Sequence, residues 1–256
     1  MHYKNKKTKA DNTKLIYGRH PVIDAINDGI PIEKIMLSTA VKGPFEKSLR
    51  SLCKQNNIPL HIVPKDRITN ITTKNHQGII GFLSELEYQL IEDVFPLIFE
   101  NGEVPLIVIL DGITDVRNMG AIARSAEATG AQAIIVPQKK TAQMNAEAIK
   151  ASAGALTKIT VCRTPSLANA IDYLILNGVQ VVAADLRGND MLFDLDLTMP
   201  TAIVMGAEDE GVRPHILRKA QKWFQIPMKG TTDSFNVSVA TGIVLYECIR
   251  QRSQIN

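Results

Sequence analysis

Three polar segments in the C-terminal half each follow a short apolar run and carry groups suited to a polar ligand. They are Asp111–Arg124, with Asn118 and Arg124; Met205–Gly211, with Glu208; and Ile226–Ser238, with Ser234 and Asn236. Amides, a carboxylate and a hydroxyl can between them hydrogen-bond a polar molecule, and a guanidinium can grip an oxyanion through two parallel bonds. In open α/β sheets, loops beyond the carboxyl ends of the strands meet around one ligand. Each residue also has an ordinary reading. Arg124 can pair with Glu127 or Asp115 at the surface, a contact of little worth. Glu208, Asp209 and Glu210 can form a solvated acidic turn, a reading that suits the last two best. Ser234 or Asn236 can simply cap a helix. Gly206 ends a strand and lets backbone come close to a ligand. Ile226, Met228 and Phe235 read first as core.

The elements that would position these groups follow from pattern. Leu106–Leu110 is an apolar run bounded by Pro105 and Asp111, as expected of a buried parallel strand. Ala133–Val136, Ile159–Cys162, Gln180–Ala184, Thr201–Met205 and Trp223–Ile226 continue the strands. Helices are expected at Asn118–Thr129, Ala142–Ala151, Ser166–Leu176, Pro214–Ala220 and Asn236–Arg252, with Asn118 as the N-cap of the first. Alternating β and α predicts a mostly parallel, helix-covered sheet. Residues 14–86 predict a smaller α/β unit, with strands at Leu15–Tyr17, Ile35–Leu37, Leu60–Val63 and Gly78–Leu83 and helices at Pro21–Asn27 and Phe45–Asn56. Residues 87–103 read as a connecting stretch with some helix, and 104–256 as the second domain.

The chain of 256 residues has a net charge of +3 that hides an asymmetry. Residues 1–90 hold 14 Lys and Arg against 8 Asp and Glu, a balance of +6, while residues 91–256 hold 15 against 18, a balance of −3. A basic module beside a mildly acidic one suggests a polyanion partner; a solvated basic surface is the plain alternative. Residues 1–13 are a lysine-rich tail, open to contact with the phosphates of a polyanion or simply solvated. Cys53, Cys162 and Cys248 are scattered and form no CxxC, which argues against a disulfide framework or zinc site and for a reducing cytoplasm. No apolar run approaches the ~18 residues of a membrane span, and the start lacks a signal-peptide apolar region. The absence of G-x-G-x-x-G and of a Walker A motif argues against nicotinamide dehydrogenases and P-loop NTPases, and no cluster has metal-ligand spacing.

Asn118-x-Gly120-x-x-x-Arg124, Gly206-x-Glu208-x-x-Gly211 and Ile226-Pro227-Met228 leading into Ser234-Phe235-Asn236-Val237-Ser238 resemble, in order and spacing, the signature motifs of the SpoU (TrmH-like) family of SPOUT methyltransferases. Phe235 departs from the family's usual Leu but stays apolar. The resemblance implies transfer of a methyl group from S-adenosyl-L-methionine to a ribose 2′-hydroxyl of RNA, without a metal. It implies a C-terminal trefoil knot, which periodicity does not show, and an active site completed across a homodimer by the last helix. It places Gly206, Ile226, Met228 and Phe235 at the cofactor, and Arg124, Asn118, Glu208, Ser234 and Asn236 in the catalytic set. The opening Gly18-Arg19-His20-Pro21-Val22 is similar to the substrate-binding domain of many members, an α/β sandwich related to RNA-binding ribosomal proteins. Arg19, His20 and Arg117 are then expected RNA contacts. The layout implies guanosine methylation in 23S ribosomal RNA; a transfer-RNA enzyme, or an RNA binder without catalysis, are the alternatives.

Overall fold

The computed structural model describes residues 15–84 and 86–254. The expected basic tail, 1–13, lies outside the described residues. The chain divides into two units, Met1–Glu85 and Leu86–Asn256.

The first unit runs β1 (Leu15–Tyr17), α1 (Arg19–Asn27), β2 (Ile32–Ser38), α2 (Pro44–Gln55), β3 (Leu60–Val63), α3 (Lys65–Thr69) and β4 (Ile79–Leu83). Its sheet has the order β1-β4-β2-β3, with β4 antiparallel to both neighbours and β2 parallel to β3. Period-two alternation sends Ile35, Leu37 and Ile79 to the face covered by Val22 and Ile26 of α1 and Leu49 of α2, while Ile80 faces Val63 and Ile68. The result is the expected small sandwich.

The second unit begins earlier than the sequence suggests. The stretch read as a connection at 87–103 contains α4 (Ile91–Glu100), whose Ile91, Val94, Phe95 and Ile98 are buried in this unit's core. Their spacing is an amphipathic stripe, and burying it makes the segment part of the domain. There follow β5 (Leu106–Asp111), α5 (Val116–Ala128), β6 (Ala133–Pro137), α6 (Ala146–Ala151), β7 (Thr160–Thr164), α7 (Leu167–Leu176), β8 (Gln180–Ala184), β9 (Asp190–Met191), β10 (Thr201–Gly206), α8 (Pro214–Leu217), β11 (Lys222–Gln225) and α9 (Val237–Arg252).

Seven strands form one sheet in the order β7-β6-β5-β10-β8-β11-β9, and every pairing is parallel. Both faces of β5 are covered. Leu106, Val108 and Leu110 meet Met119, Ile122 and Ala126 of α5 and Val244 and Leu245 of α9, whereas Ile107 and Ile109 meet Phe95 of α4 and Ile171 and Leu174 of α7. That two-sided burial explains the unbroken apolar runs. Burial pushes the thiols of Cys162 and Cys248 up to about 12 and that of Cys53 up to about 11. They therefore stay protonated near neutral pH and are inert core groups.

Three helix starts differ from the sequence reading by more than one residue, the first being α1, which begins at Arg19 rather than Pro21. The N-cap of α5 is Asp115, whose Oδ1 accepts from the backbone N–H groups of Arg117 at 2.6 Å and Asn118 at 3.1 Å. Asn118 thus sits inside the first turn with its side chain released for other bonds. Helix α6 starts at Ala146, capped by Asn145, rather than at Ala142, which is buried and bonded to Ile113.

Candidate active site

Strands β5, β8, β10 and β11 all deliver their carboxyl ends to one edge of the sheet, and a cleft of about 590 Å³ opens there. Gly206, Glu208, Ile226, Met228, Ser234 and Phe235 all line it. So do Asp209 and Glu210, which the sequence reads as a solvated turn.

The order at its rim comes from one amide. Asn236 caps α9: its Oδ1 accepts from the backbone N–H of Ser238 at 3.0 Å and from Ser238 Oγ at 2.5 Å. A backbone N–H can only donate, so this bond fixes which end of the amide is oxygen. The Nδ2 end must then face the other way. It donates to Asn118 Oδ1 at 3.0 Å and to Glu208 Oε1 in a short bond. Both donors and the carbonyl of Asn236 are therefore used, and the three motifs are joined through it. Ser234 takes no part in this network and makes no hydrogen bond among the described residues; the capping role falls to Asn236 alone.

Gly206 is needed for a reason other than ligand approach. A Cβ on Gly206 would lie 2.1 Å from the backbone C of Gly211 and the N of Val212. The β10 end and the returning strand of its own loop are pressed together, with Gly211 N donating to Ala207 O at 2.9 Å. Any side chain at Gly206 would unfold this wall of the cleft rather than fill it.

Two groups escaped sequence reasoning. Asp111, the carboxylate that ends β5, is fully buried and accepts from Arg213 N at 2.9 Å and Nε at 2.7 Å, with Nη2 at 2.5 Å. This clamp ties the far end of the Glu208 loop to β5. A charged residue closing an apolar run was the available signal. Replacing Asp111 by Asn should cost about 2 kcal/mol in urea unfolding, less than the ~3–5 of a fully buried broken pair because Arg213 is 30% exposed. A loss below ~0.5 kcal/mol would mean that the clamp is not holding the loop. The other group is Asp185–Arg187, at the end of β8. Hydrogen bonds from Arg187 hold the Asp185 carboxyl below its ordinary value, so the cleft keeps an ionised group there.

Arg124 stands apart. It is exposed on α5 and does not line the cleft of its own chain. Its expected surface partners are otherwise engaged, Asp115 as the cap and Glu127 with Lys158 at 3.7 Å. Among the described residues its guanidinium has no hydrogen bond or ion pair. Arg117 is exposed on the same helix. Arg19 and His20 are exposed at the start of α1, and the Arg19 guanidinium lies 4.7 Å over the Phe45 ring.

A parallel sheet whose strand-end loops are joined through Asn118, Glu208 and Asn236 has the form of a ligand site, and comparison with known proteins identifies the family. Residues 105–246 match the SpoU rRNA Methylase family, and residues 15–89 match the RNA 2′-O ribose methyltransferase substrate binding family. The chain belongs to the SpoU (TrmH) family of RNA methyltransferases, as its motifs suggest.

A protein of Staphylococcus saprophyticus that carries the TrmH family tRNA/rRNA methyltransferase name is 32% identical over 241 residues, covering 94% of this chain and 97% of its own. YacO of Bacillus subtilis, named for the same family, is 30% identical over 241 residues, with 94% and 96% covered. The AdoMet-bound rRNA methyltransferase of Sinorhizobium meliloti superposes with a TM-score of 0.59 at 29% identity, over 93% of this chain and 87% of that one. The SpoU methyltransferase AviRb of Streptomyces viridochromogenes, in complex with AdoMet, shares the fold with a TM-score of 0.60 at 24% identity, over 94% and 90%.

Proposed function

We propose that this protein methylates a ribose 2′-hydroxyl of structured RNA using S-adenosyl-L-methionine, with a guanosine of 23S ribosomal RNA as the first candidate target and transfer RNA as the second. The observation that carries the reading is the Asn236 amide bridging Asn118 and Glu208 at the rim of the strand-end cleft. That network argues against a non-catalytic RNA binder.

The cleft suits the cofactor. Its floor is apolar and partly backbone, through Met205, Gly206, Phe224 and Ile226, and its rim carries Asp185, Glu208, Asp209 and Glu210. Such a surround accommodates a purine and a thioether-like chain, and the carboxylates attract a molecule with a sulfonium and an ammonium and can accept bonds from its hydroxyls. Bound there, the cofactor supplies an electrophilic methyl carbon on a good leaving group. The protein's task is to hold the acceptor oxygen in line with it. Arg124 grips the RNA phosphate beside that ribose through its planar fork, orients the hydroxyl and stabilises the oxygen as it loses its proton. A guanidinium has a pKa above ~12 and cannot take the proton while charged, and a phosphodiester oxygen holds one only in passing, so the proton leaves by way of the phosphate or a transiently perturbed arginine to solvent water.

Because Arg124 does not line its own cleft, we infer a homodimer in which a second copy provides it. Helix α9 supports this. Its inward side is buried through Val237, Ala240, Val244 and Cys248, while Val239 and Tyr246 are 51% and 67% exposed. Val239 and Tyr246 thus face away from the chain's own core, whereas Ile243 packs partly against it. We also infer the trefoil knot: β11 lies beyond β8, yet α9 packs on α5, so residues 226–236 must cross back past β8 and β10. Three buried thiols suit a reducing compartment, and we place the enzyme in the cytoplasm.

The test is incubation with methyl-labelled S-adenosyl-L-methionine and separate ribosomal and transfer RNA fractions, followed by nucleoside analysis. Label in a 2′-O-methylribose is the expected product, and the fraction that accepts it decides between the two targets. Cofactor binding without label in either fraction would favour the non-catalytic alternative.

A further inference from the structure

Resting on the RNA reading above, we propose that a second cleft, within the first unit, is the binding site for a single unpaired nucleotide of the RNA substrate. It measures about 380 Å³ and is lined by Ser38, Lys65, Lys74, Asn75, His76 and Gln77, among others. Three chain segments meet there: the ends of β2 and β3 and the loop before β4.

That last loop is shaped before any ligand arrives. Thr72 Oγ1 accepts from Lys74 N at 3.3 Å, His76 Nδ1 from Gly78 N at 3.0 Å, and Gln77 Oε1 from Arg19 N at 3.0 Å. Gln77 and Gly78 both lie in the left-handed region, at φ 49° and 78°. A Cβ on Gly78 would come within 2.6 Å of Val41 Cγ2. Two successive left-handed residues, one a glutamine, are held by these bonds and that packing. A loop ordered in advance binds at lower entropic cost.

The groups it presents sort by chemistry. Lys65 and Lys74 bring two ammonium groups, neither in an ion pair among the described residues; Lys74 Nζ lies 5.1 Å over the Tyr17 ring. Among the described residues no carboxylate lines the cleft. The bond from Gly78 occupies His76 Nδ1, so the imidazole's proton is on Nε2 and the ring offers a donor. Asn75 and the Gln77 amide nitrogen add donors, and the Asn75 oxygen an acceptor. A site for phosphate alone would need only the cations. Cations together with amides and an imidazole donor match a phosphodiester joined to a base edge. A volume of this order holds a small ligand, not a helix. In RNA, a base edge is available in this way where the nucleotide is unpaired and splayed out.

The test uses the full chain with two synthetic RNAs of equal length, a hairpin with a single-stranded loop and a fully paired duplex. The variants are Lys65→Gln/Lys74→Gln and His76→Asn. Asn keeps an acceptor near the Nδ1 position for Gly78 and deletes the outward donor, so loop shape and ligand contact are separated. Calorimetric affinity for S-adenosyl-L-methionine shows that the second unit is intact in each. Wild type is expected to prefer the hairpin, and His76→Asn to reduce that preference by up to about tenfold, the size of one hydrogen bond to a base edge. The double lysine variant should also lower the slope of log affinity against log salt by about two. A lower slope with the hairpin preference intact would mean a purely electrostatic contact and would overturn the nucleotide site, as would a wild type that binds both RNAs alike. If the wild type binds and methylates no RNA, the functional reading fails first; if it methylates RNA while every variant keeps its hairpin preference, only this site fails.

Discussion

Replacing Arg124 by Ala is expected to lower methyl transfer by at least ~10²–10³-fold while leaving affinity for S-adenosyl-L-methionine unchanged. The magnitude is that of removing one preorganised donor from a developing oxyanion. The selectivity follows from position, since Arg124 is exposed, unpaired among the described residues and outside the cleft proposed for the cofactor. Arg124→Lys should recover little, because an ammonium keeps the charge and loses the planar two-bond grip. Single-turnover rates with labelled cofactor and calorimetry on the same protein make the measurement. Near-normal turnover in Arg124→Ala would remove this residue from the chemistry. Mixing Arg124→Ala with a cleft variant tests the shared site. If the arginine serves the partner's cleft, random mixed dimers regain about a quarter of wild-type activity, since half are mixed and each has one complete site. No recovery would place the arginine and the cleft it serves in one chain.

Asn236→Asp is the natural cleft variant, and its expected effect is of similar size. Aspartate caps a helix as well as asparagine does, so the start of α9 should survive with little loss of stability. The two donors to Asn118 and Glu208 are gone, however, and a second carboxylate is set against Glu208. Turnover at neutral pH should fall by about 10²-fold. Two carboxylates forced together share one proton as the pH falls, which restores a donor between them. Part of the rate should therefore return on acidification, relative to wild type at the same pH. Neutral turnover equal to wild type would show that the bridge between the motifs is not needed.

The sequence made the strands of the second unit and its three motif loops legible because they are two-sided burial and polar strand ends, both local signals. It misplaced the start of α5 by two residues because Asp115 and Asn118 are both good caps, and only tertiary demand on Asn118 decides between them. The helical stripe of Ile91, Val94, Phe95 and Ile98 was present in the sequence but read as a connection, since nothing local says which unit it covers. β9, two residues long, carries too few side chains to have a pattern. The Asp111–Arg213 clamp joins residues 102 positions apart, and no periodicity reports such a pairing. Gly206 was recognised as special, but the atoms that forbid a side chain there belong to its own loop.

The strand order sets a schedule for the ribosome. β10, residues 201–206, fills the middle of the sheet between β5 and β8, both of which are synthesised earlier. Until residue 206 has left the exit tunnel, the nascent chain holds the three-stranded piece β7-β6-β5 with a raw edge along β5, and β8 with neither of its neighbours, since β11 is made later still. Those edges are long, apolar and open to pairing with other chains. Completion then waits for a late insertion over a large sequence separation, which is slow. The enzyme should thus be most dependent on chaperones during the last quarter of its own translation, and truncation within the second unit before β10 should leave that unit aggregating rather than folded.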